Sequence, residues 1–362
     1  MNKIFVSLGA LMAGRLMAGV LIATLLMSNS LWAESITAND SRISLMGRAQ
    51  QQDDGSLRFA YPGVTLFLNV EGAALTMSAR SNTGNSWIDV IVDDAAPKSI
   101  QLAAESKSYE LFRFAEPGKH KVRITNRTET WQGITTISGF IVDKGQLLGA
   151  SPLPKRKLLF LGDSVTCAEM IDRIPGEQAN PSWSNARESY GMLTAAALNA
   201  QVQLVCYGGR GLVRSWNGKT DELNLPDFYP LTIADQAAPI SWNKSSYQPD
   251  LIISAIGTND FSQGIPAREA YVSTYVRLVN QLLTDYPQAH IALTEGAILN
   301  GEKKAALIDY IRETISRVDG ARVHQVTSPH FPGDAQDAHP TKAQHDAMAK
   351  DLIPQLKALM DW

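Results

Sequence analysis

Residues 157–167, KLLFLGDSVTC, decide the fold of this 362-residue chain. A mostly apolar run predicts a buried strand, and Gly162 and Asp163 then form a turn into Ser164. In α/β proteins such a turn leaves a serine hydroxyl at the carboxyl end of a strand and the start of a helix, where backbone amides can bind an oxyanion. The residue two positions after Ser164 is Thr166, which excludes the G-x-S-x-G elbow of α/β-hydrolases. The stretch therefore predicts a serine nucleophile on an α/β fold of another type.

The second half of the chain alternates strand-like runs with helical stretches. The strand-like runs are residues 157–161, 201–207, 250–256, 290–294 and 322–326. Apolar residues recur at helical spacing between the later runs, as at Val272, Val276 and Val279. Thr341 followed by Gln344 has the pattern of a capping box before a last helix. This alternation predicts an α/β domain over residues 157–362, with a parallel sheet covered on both faces.

The first half of the chain has the period-2 pattern of β-strands. Apolar and polar residues alternate over residues 64–70, 88–92 and 120–124. Turn-forming residues separate the runs at positions 53–55, 61–63, 71–72, 82–85 and 116–118. Short strands at this spacing predict an all-β sandwich, of jelly-roll type, over residues 34–146. Pro152 and Pro154 mark residues 147–157 as the linker to the second half.

Residues 1–33 have the pattern of a secretory signal peptide. Lys3 and Arg15 precede an apolar run over residues 16–27, and small and polar residues lead to a cleavage site after Ala33. A retained membrane anchor is the alternative, but the apolar run is short for a membrane span. We therefore expect the protein to be exported, to the periplasm or out of the cell, with no membrane contact in the mature form.

The composition limits the classes of partner and cofactor. A net charge of −3 with 44% hydrophobic residues is ordinary for a globular chain and gives no basic surface for nucleic acid. Cys167 follows one predicted strand and Cys206 lies near the end of another, and they either form a disulfide or are two small buried residues. The spacing of His and Cys offers no zinc site, and we expect neither a metal nor another cofactor.

Three further motifs follow predicted strands. They are GGRG at residues 208–211, GTND at 257–260 and DAHP at 337–340. A glycine can aim a backbone N–H outward, an asparagine amide can stabilise an oxyanion, and a histidine can accept the serine proton. Each motif alone is more often a plain turn or a structural histidine, and His330 is a rival in a loop. Together, at one edge of a parallel sheet, they predict an acyl-transfer site of Ser164, Gly209, Asn259 and His339.

The set GDSVT, GGRG, GTND and DAHP resembles the motifs of the SGNH, or GDSL-like, hydrolases, from residue 157 to the end of the chain. The resemblance implies a flavodoxin-like domain with Ser164 as the nucleophile and His339 as the base. It also implies an oxyanion hole that is built from the N–H groups of Ser164 and Gly209 and the side chain of Asn259.

One position departs from the pattern of that family. The SGNH hydrolases usually carry an aspartate three residues before the histidine, but Gln336 stands there in this chain. Asp337, two residues before His339, is the expected orienting acid. Asp334 or a backbone carbonyl are the alternatives.

The first half extends the resemblance to nearly the whole mature chain. A β-sandwich with ITNRTETWQG (residues 124–133) and GFIVDKGQLL (residues 139–148), ahead of GDSVTC and GTNDFS, is similar to carbohydrate esterase family 2. This implies a serine esterase that removes O-acetyl groups from xylan or glucomannan through an acetyl-enzyme. Trp216 is the candidate for stacking on a sugar ring, and the sandwich is expected to form one wall of the cleft. A lipase or thioesterase on other acyl esters, or a non-catalytic carbohydrate-binding protein, are the alternatives.

Overall fold

The computed structural model describes residues 33–318 and 320–362, so the predicted signal peptide lies outside the described residues apart from Ala33. The first ten strands are β1 (Glu34–Thr37), β2 (Ser44–Met46), β3 (Gln50–Gln51), β4 (Leu57–Phe59), β5 (Thr65–Ser81), β6 (Trp87–Val92), β7 (Lys98–Gln101), β8 (Lys107–Asn126), β9 (Thr135–Asp143) and β10 (Gln146–Leu147). They form one antiparallel sheet of order β3-β4-β9-β5-β8-β6-β7, with β2 and β10 paired to β5 and β1 paired to β9. The predicted all-β first half is confirmed.

Strands β5 and β8 continue through two positions that the sequence predicts as turns. Glu71 and Gly72 lie inside β5, and residues 116–118 lie inside β8, so both turn predictions are wrong. The β5–β8 register shifts between Gly72 and Ala74, and such an irregularity lets a strand bend without ending. The first part of β5 pairs with β2 and β10, and its second part pairs with β9. Strand β5 therefore changes one of its partners along its length, and the antiparallel half has a hydrophobic core of its own.

The second half is an α/β domain. Its strands are β11 (Arg156–Gly162), β12 (Ala200–Cys206), β13 (Leu231–Ile233), β14 (Ile240–Ser241), β15 (Leu251–Ala255), β16 (His290–Thr294) and β17 (Val323–Gln325). Its helices are α1 (Ser164–Cys167), α2 (Tyr190–Ala197), α3 (Leu225–Phe228), α4 (Arg268–Asp285), α5 (Gly301–Arg317) and α6 (Lys342–Met360). The main sheet is parallel, with the order β12-β11-β15-β16-β17. This is the flavodoxin-like order, as predicted, with an apolar core on each face.

The helices agree with the sequence pattern except in one connection. Thr341 Oγ1 accepts the N–H of Gln344 at 3.2 Å, and Gln344 Oε1 accepts the N–H of Thr341 at 2.9 Å, which confirms the capping box. Between β12 and β15, however, the described chain has only the four-residue helix α3, the β13–β14 pair and the 3-10 helix Lys244–Ser246. Glycines and prolines between residues 208 and 239 interrupt any longer helix there. Over residues 33–318 and 320–362, no helix is both long and apolar enough to cross a membrane.

Direct hydrogen bonds join the antiparallel half to the α/β half. The buried Arg48 donates from Nη1 to the carbonyls of Tyr229 at 2.6 Å and Leu231 at 2.8 Å. Thr130 Oγ1 donates to the carbonyl of Cys206 at 2.7 Å, at the end of β12. The second contact matters for function because the GGRG turn begins two residues after Cys206.

A disulfide between Cys167 and Cys206 settles the alternative that the sequence left open. The bond links the last residue of α1 to the last residue of β12, across 39 positions of sequence. It therefore ties the helix that begins with Ser164 to the strand that leads into Gly209.

Candidate active site

Ser164 is held by the turn between β11 and α1. Oδ1 of Asp163 accepts the N–H of Val165 at 3.1 Å and so caps the short helix at its N-terminus. A Cβ at Gly162 would collide with the Thr166 side chain, so a larger residue cannot stand there without a shift of the turn. The turn thus fixes the serine at the carboxyl end of a central strand.

His339 lies in the loop between β17 and α6, within hydrogen-bonding distance of two other predicted site residues. Its Nε2 is 2.8 Å from Oγ of Ser164, and its Nδ1 is 2.5 Å from Oδ1 of Asp337. The same carboxylate oxygen accepts the backbone N–H of His339 at 2.8 Å. A hydroxyl, an imidazole and a carboxylate in this sequence of contacts have the geometry of a Ser-His-Asp triad.

Neither Asp334, the alternative acidic residue, nor Gln336, which stands where the SGNH hydrolases usually carry an aspartate, contacts the imidazole. Asp334 pairs with Nε of Arg173 at 2.8 Å, and Arg173 Nη2 donates to the His339 carbonyl at 2.9 Å. Gln336 donates instead to the carbonyl of Ile174 at 3.2 Å. The structure therefore places Asp337, and neither Asp334 nor Gln336, against the ring of His339.

Local charges set the protonation of the His339–Asp337 pair. Burial opposes protonation of His339, but the hydrogen bond to Asp337 and the negative charges of Glu169 and Asp163 outweigh it and raise its pKa above the ordinary value. The hydrogen bond from His339 holds the pKa of Asp337 below its usual range. Asp337 is thus a stable anion that can hold the imidazole and balance its charge when it takes a proton.

Gly209 lies in the turn after β12, as predicted, and has a backbone that favours glycine. Its φ of +73° is in the left-handed region, and a Cβ there would come 2.8 Å from Cδ1 of Trp216. The carbonyl of Gly209 accepts the N–H of Trp216 at 2.9 Å. Gly209 lines the same cleft as Ser164.

Asn259 lies just after β15 and connects the cleft to the glycine turn. Its Nδ2 donates to the carbonyl of Arg210 at 2.8 Å, which leaves the second N–H of the amide for another acceptor. The adjacent Asp260 accepts the backbone N–H groups of residues 212–214, at 2.8, 2.7 and 3.1 Å. Burial raises the pKa of Asp260 to about 6, although these three hydrogen bonds oppose that shift. The asparagine and the aspartate together hold the 210–214 loop in place.

These residues surround an open cleft of about 540 Å³. Besides Ser164, Gly209, Asn259 and His339, the lining includes Trp131, Glu169, Tyr207, Gly208, Arg210, Trp216 and Glu222. Trp216 is 59% exposed and Trp131 is 51% exposed. Trp131 belongs to the antiparallel half, so this half does contribute one wall of the cleft.

The other tryptophans and the rival histidine lie elsewhere. Trp183 is buried and Trp242 is half-buried, and neither lines the cleft. His330 Nδ1 lies 3.2 Å from the carbonyl of Ala297. In the part of the chain that the structure describes, no group of three or more His, Cys, Asp or Glu side chains could hold a metal ion.

Three residues at this site are not among those that the sequence predicts. Oε2 of Glu169 lies 3.6 Å from Nε2 of His339. Glu129 is fully buried beside the glycine turn, and Trp131 lines the cleft. The TETW run at 128–131 carried part of the family resemblance, but no periodicity marked its side chains as part of the site.

Comparison with known proteins finds relatives that cover both halves of the chain. Residues 45–152 match the family described as Carbohydrate esterase 2 N-terminal, and residues 160–352 match the GDSL-like Lipase/Acylhydrolase family. A Cellvibrio japonicus (strain Ueda107) protein named acetylxylan esterase / glucomannan deacetylase is 57% identical over 328 residues, which cover 91% of this chain and 92% of that protein. The chain belongs to carbohydrate esterase family 2.

Solved structures of family 2 carbohydrate esterases have the same fold. One from Cellvibrio japonicus has a TM-score of 0.90 at 57% identity, over 91% of this chain and 98% of that chain. Another, from Clostridium thermocellum in complex with cellohexaose, has a TM-score of 0.81 at 29% identity, over 88% and 99% of the two chains. The predicted family is confirmed, and this family 2 esterase is a carboxylic ester hydrolase.

Proposed function

We propose that this family 2 carbohydrate esterase removes O-acetyl groups from polysaccharides of the xylan or glucomannan type. The proposal rests on the contacts of the His339 ring in an open cleft. One ring nitrogen contacts Ser164 and the other contacts Asp337. The name of the Cellvibrio japonicus relative supports the choice of acetylated polysaccharide as substrate.

The reaction begins with proton transfer between the two residues in contact. His339 takes the proton of Ser164 through Nε2 as Oγ attacks the acetyl carbonyl carbon. Asp337 keeps the other ring nitrogen protonated and balances the imidazolium. Collapse of the tetrahedral intermediate breaks the bond to the sugar oxygen, which takes the proton from His339. Water, activated by the same histidine, then hydrolyses the acetyl-enzyme and releases acetate.

Three donors are assigned to the tetrahedral oxyanion. They are the backbone N–H groups of Ser164 and Gly209 and the free amide N–H of Asn259. The left-handed backbone of Gly209 and the bond from Asn259 to the 210–214 loop fix these donors before substrate binds. Donors that need no reorganisation stabilise developing charge best.

The cleft lining favours a sugar over a long acyl chain. Trp131 and Trp216 expose aromatic rings on which a pyranose can stack, and Arg210 pairs with Glu222 in the same lining. Charged side chains in an open cleft give no apolar channel for a fatty acyl group. We therefore expect acetyl esters to be hydrolysed much faster than longer esters.

Hydrolysis of 4-nitrophenyl acetate by wild type and Ser164→Ala tests the assignment of the nucleophile. The variant should be inactive with an unchanged unfolding temperature, whereas the exposed Ser35→Ala should match wild type. Activity retained in folded Ser164→Ala would overturn the proposal.

Two substrate series test the specificity. Acetate release from acetylated xylan and acetylated glucomannan should exceed release from acetylated substrates without a sugar. Hydrolysis of 4-nitrophenyl esters should fall from acetate to butyrate to octanoate. A preference for octanoate would instead favour a lipase, and binding of polysaccharide without acetate release would favour a carbohydrate-binding protein.

The proposal includes the domain limits and an exported location. Residues 1–33 serve as the leader, residues 34–146 as the sandwich domain and residues 157–362 as the catalytic domain. The Cys167–Cys206 disulfide supports export, since disulfides persist in oxidising compartments. Cell fractionation with N-terminal sequencing of the mature protein is expected to find it outside the cytoplasm and starting near Glu34; a cytoplasmic protein that keeps Met1 would contradict this.

A further inference from the structure

The buried Glu129 has no role in the mechanism above. It precedes the short 3-10 helix Thr130–Gln132 in the antiparallel half, and it is 0% exposed. Neither of its carboxyl oxygens makes a well-aligned hydrogen bond with another described residue. A Cβ at Gly208 would collide with Oε2 of Glu129, so the carboxyl lies directly against the turn that contains Gly209.

A buried carboxyl in this position is expected to be protonated. Burial, followed by the neighbouring charge of Glu169, raises the pKa of Glu129 well above its ordinary value, while the Gly208 amide opposes the shift. An unpaired carboxylate is costly to bury, and two adjacent carboxyl groups cannot both ionise easily. A protonated Glu129 has one O–H to donate, and the carboxyl of Glu169 is beside it to accept.

Glu169 connects this buried group to the reacting atoms. Its backbone N–H donates to the carbonyl of Ser164 at 3.0 Å, so its position is fixed to the nucleophile helix. Its side chain is 25% exposed to the cleft, and Oε2 lies 3.6 Å from Nε2 of His339. Nε2 is the nitrogen that contacts Ser164, whereas Asp337 occupies the other side of the ring.

We propose that Glu129 and Glu169 form a carboxyl pair with one shared proton, whose single negative charge at Glu169 supports His339 from the Nε2 side. The inference rests on the proposed function of His339 as the base. Glu129 is the neutral, positioning member, and Glu169 is the charged member. The imidazolium that forms during the reaction then has an anion on each side of the ring, which stabilises it.

The acid limb of the pH profile of activity follows the pKa of His339, because only the neutral imidazole can accept the serine proton. The negative charge of Glu169 contributes to that pKa, so the limb reports the charge. The charged and titratable groups around the ring are Asp337, Glu169, Asp163, Arg173 at the backbone carbonyl, and His345, whose pKa burial lowers to about 3. Glu129 and the Arg210–Glu222 pair complete the set around the cleft. Removal of the Glu169 charge should lower the pKa of His339 and leave the other groups in place.

The test is kcat/KM for 4-nitrophenyl acetate from pH 4 to 9 in four proteins. They are wild type, Glu169→Gln, Glu129→Gln and, as a control for loss of one exposed carboxylate, Glu116→Gln. We expect the acid limb of Glu169→Gln to move down by about one pH unit, with kcat reduced about tenfold at neutral pH. Glu129→Gln should keep the wild-type limb, since a neutral amide can still donate to Glu169 and accept from Gly208. Glu116→Gln should match wild type.

A variant of Glu129 that cannot donate a hydrogen bond separates the positioning of Glu169 from the charge of Glu169. Glu129→Leu should lower kcat and shift the limb, because Glu169 then loses its donor, and Glu129→Gln should rescue both effects. If Glu129→Leu does not fold, the glutamine variant still decides. An unchanged limb in Glu169→Gln, or an equal shift in Glu129→Gln, would overturn the proposal. Failure of the esterase function itself is recognised separately, as a wild-type enzyme without turnover or an active Ser164→Ala.

Discussion

Oδ1 of Asp163 lies 3.1 Å from the backbone nitrogen of Val165, so the aspartate of the GDSV turn caps the helix that begins with the nucleophile. The other oxygen, Oδ2, is buried without a partner in the described chain. Burial raises the pKa of Asp163 to about 6. The side chain that orients the turn therefore carries a cost to stability whenever it is ionised.

That cost predicts how Asp163→Asn changes stability with pH. The folded state keeps the Asp163 proton to higher pH than the unfolded state. The contribution of Asp163 to the free energy of unfolding therefore declines as pH rises from about 4 to about 6. Asparagine keeps the acceptor for Val165 and does not ionise. The stability of Asp163→Asn relative to wild type should therefore rise by about 3 kcal/mol over that range. Urea unfolding at pH 4 and pH 7.5 measures this difference in the free energy of unfolding, with the exposed Asp221→Asn as control. The same difference between Asp163→Asn and wild type at both pH values would contradict the prediction.

Asp337 is expected to be needed for turnover. Asp337→Ala should lower kcat by roughly 10²–10⁴-fold, because the imidazole loses both its orientation and its counter-charge. The remaining activity should extend to lower pH, since removal of the anion lowers the pKa of His339. Asp334→Ala removes the partner of Arg173 and the acceptor of the backbone N–H groups of Gln336 and Asp337, but no contact with the imidazole, and should keep most of the activity. A loss of only a few-fold in Asp337→Ala would show that the enzyme works as a Ser-His dyad.

Asn259 is expected to act mainly on the chemical step. Asn259→Ala should lower kcat by roughly 10²–10³-fold with little change in KM, the usual effect of removing one oxyanion donor. Asn259→Asp, which places an anion at the same position, should be at least as inactive. Single-turnover kinetics on 4-nitrophenyl acetate separate this effect from binding. A change confined to KM would mean that Asn259 serves only to hold the 210–214 loop.

Trp216 is expected to affect polysaccharides and not small esters. Replacement by alanine should raise KM for acetylated glucomannan about 3- to 10-fold, since one exposed aromatic platform is lost. The kcat/KM for 4-nitrophenyl acetate should stay within about twofold, since no sugar is present. Trp216→Phe should restore part of the affinity, and the exposed Phe114→Ala outside the cleft should have no effect. Equal losses on both substrates would indicate that Trp216 merely supports Gly209.

The sequence predicts well what depends on local periodicity. Buried strands of a parallel sheet are continuous apolar runs. The ends of these runs, and with them Ser164 and Asn259, can therefore be located from the order of apolar and polar residues alone. The turns assigned to Glu71-Gly72 and residues 116–118 fail because glycine is compatible with both a turn and a bulge. Only the pairing between β5 and β8, which is not local, decides between the two.

The residues that could not be predicted come from elements far apart in sequence. Glu129 has no role until the antiparallel half packs against the glycine turn, 79 positions later at Gly208. Glu169 follows Ser164 by five positions, but its distance to His339 depends on a loop from the far end of the chain. Contacts between residues far apart in sequence carry this information, and no single stretch contains it.

Three consecutive residues of the antiparallel half, Glu129, Thr130 and Trp131, meet the turn after β12, the end of β12 and the cleft respectively. A hydrolase domain cut free at the linker would therefore lose a support of its oxyanion turn together with one wall for the sugar. Exchange of the antiparallel half between relatives should alter both turnover and substrate preference. In recombination experiments the two halves should therefore be transferred together.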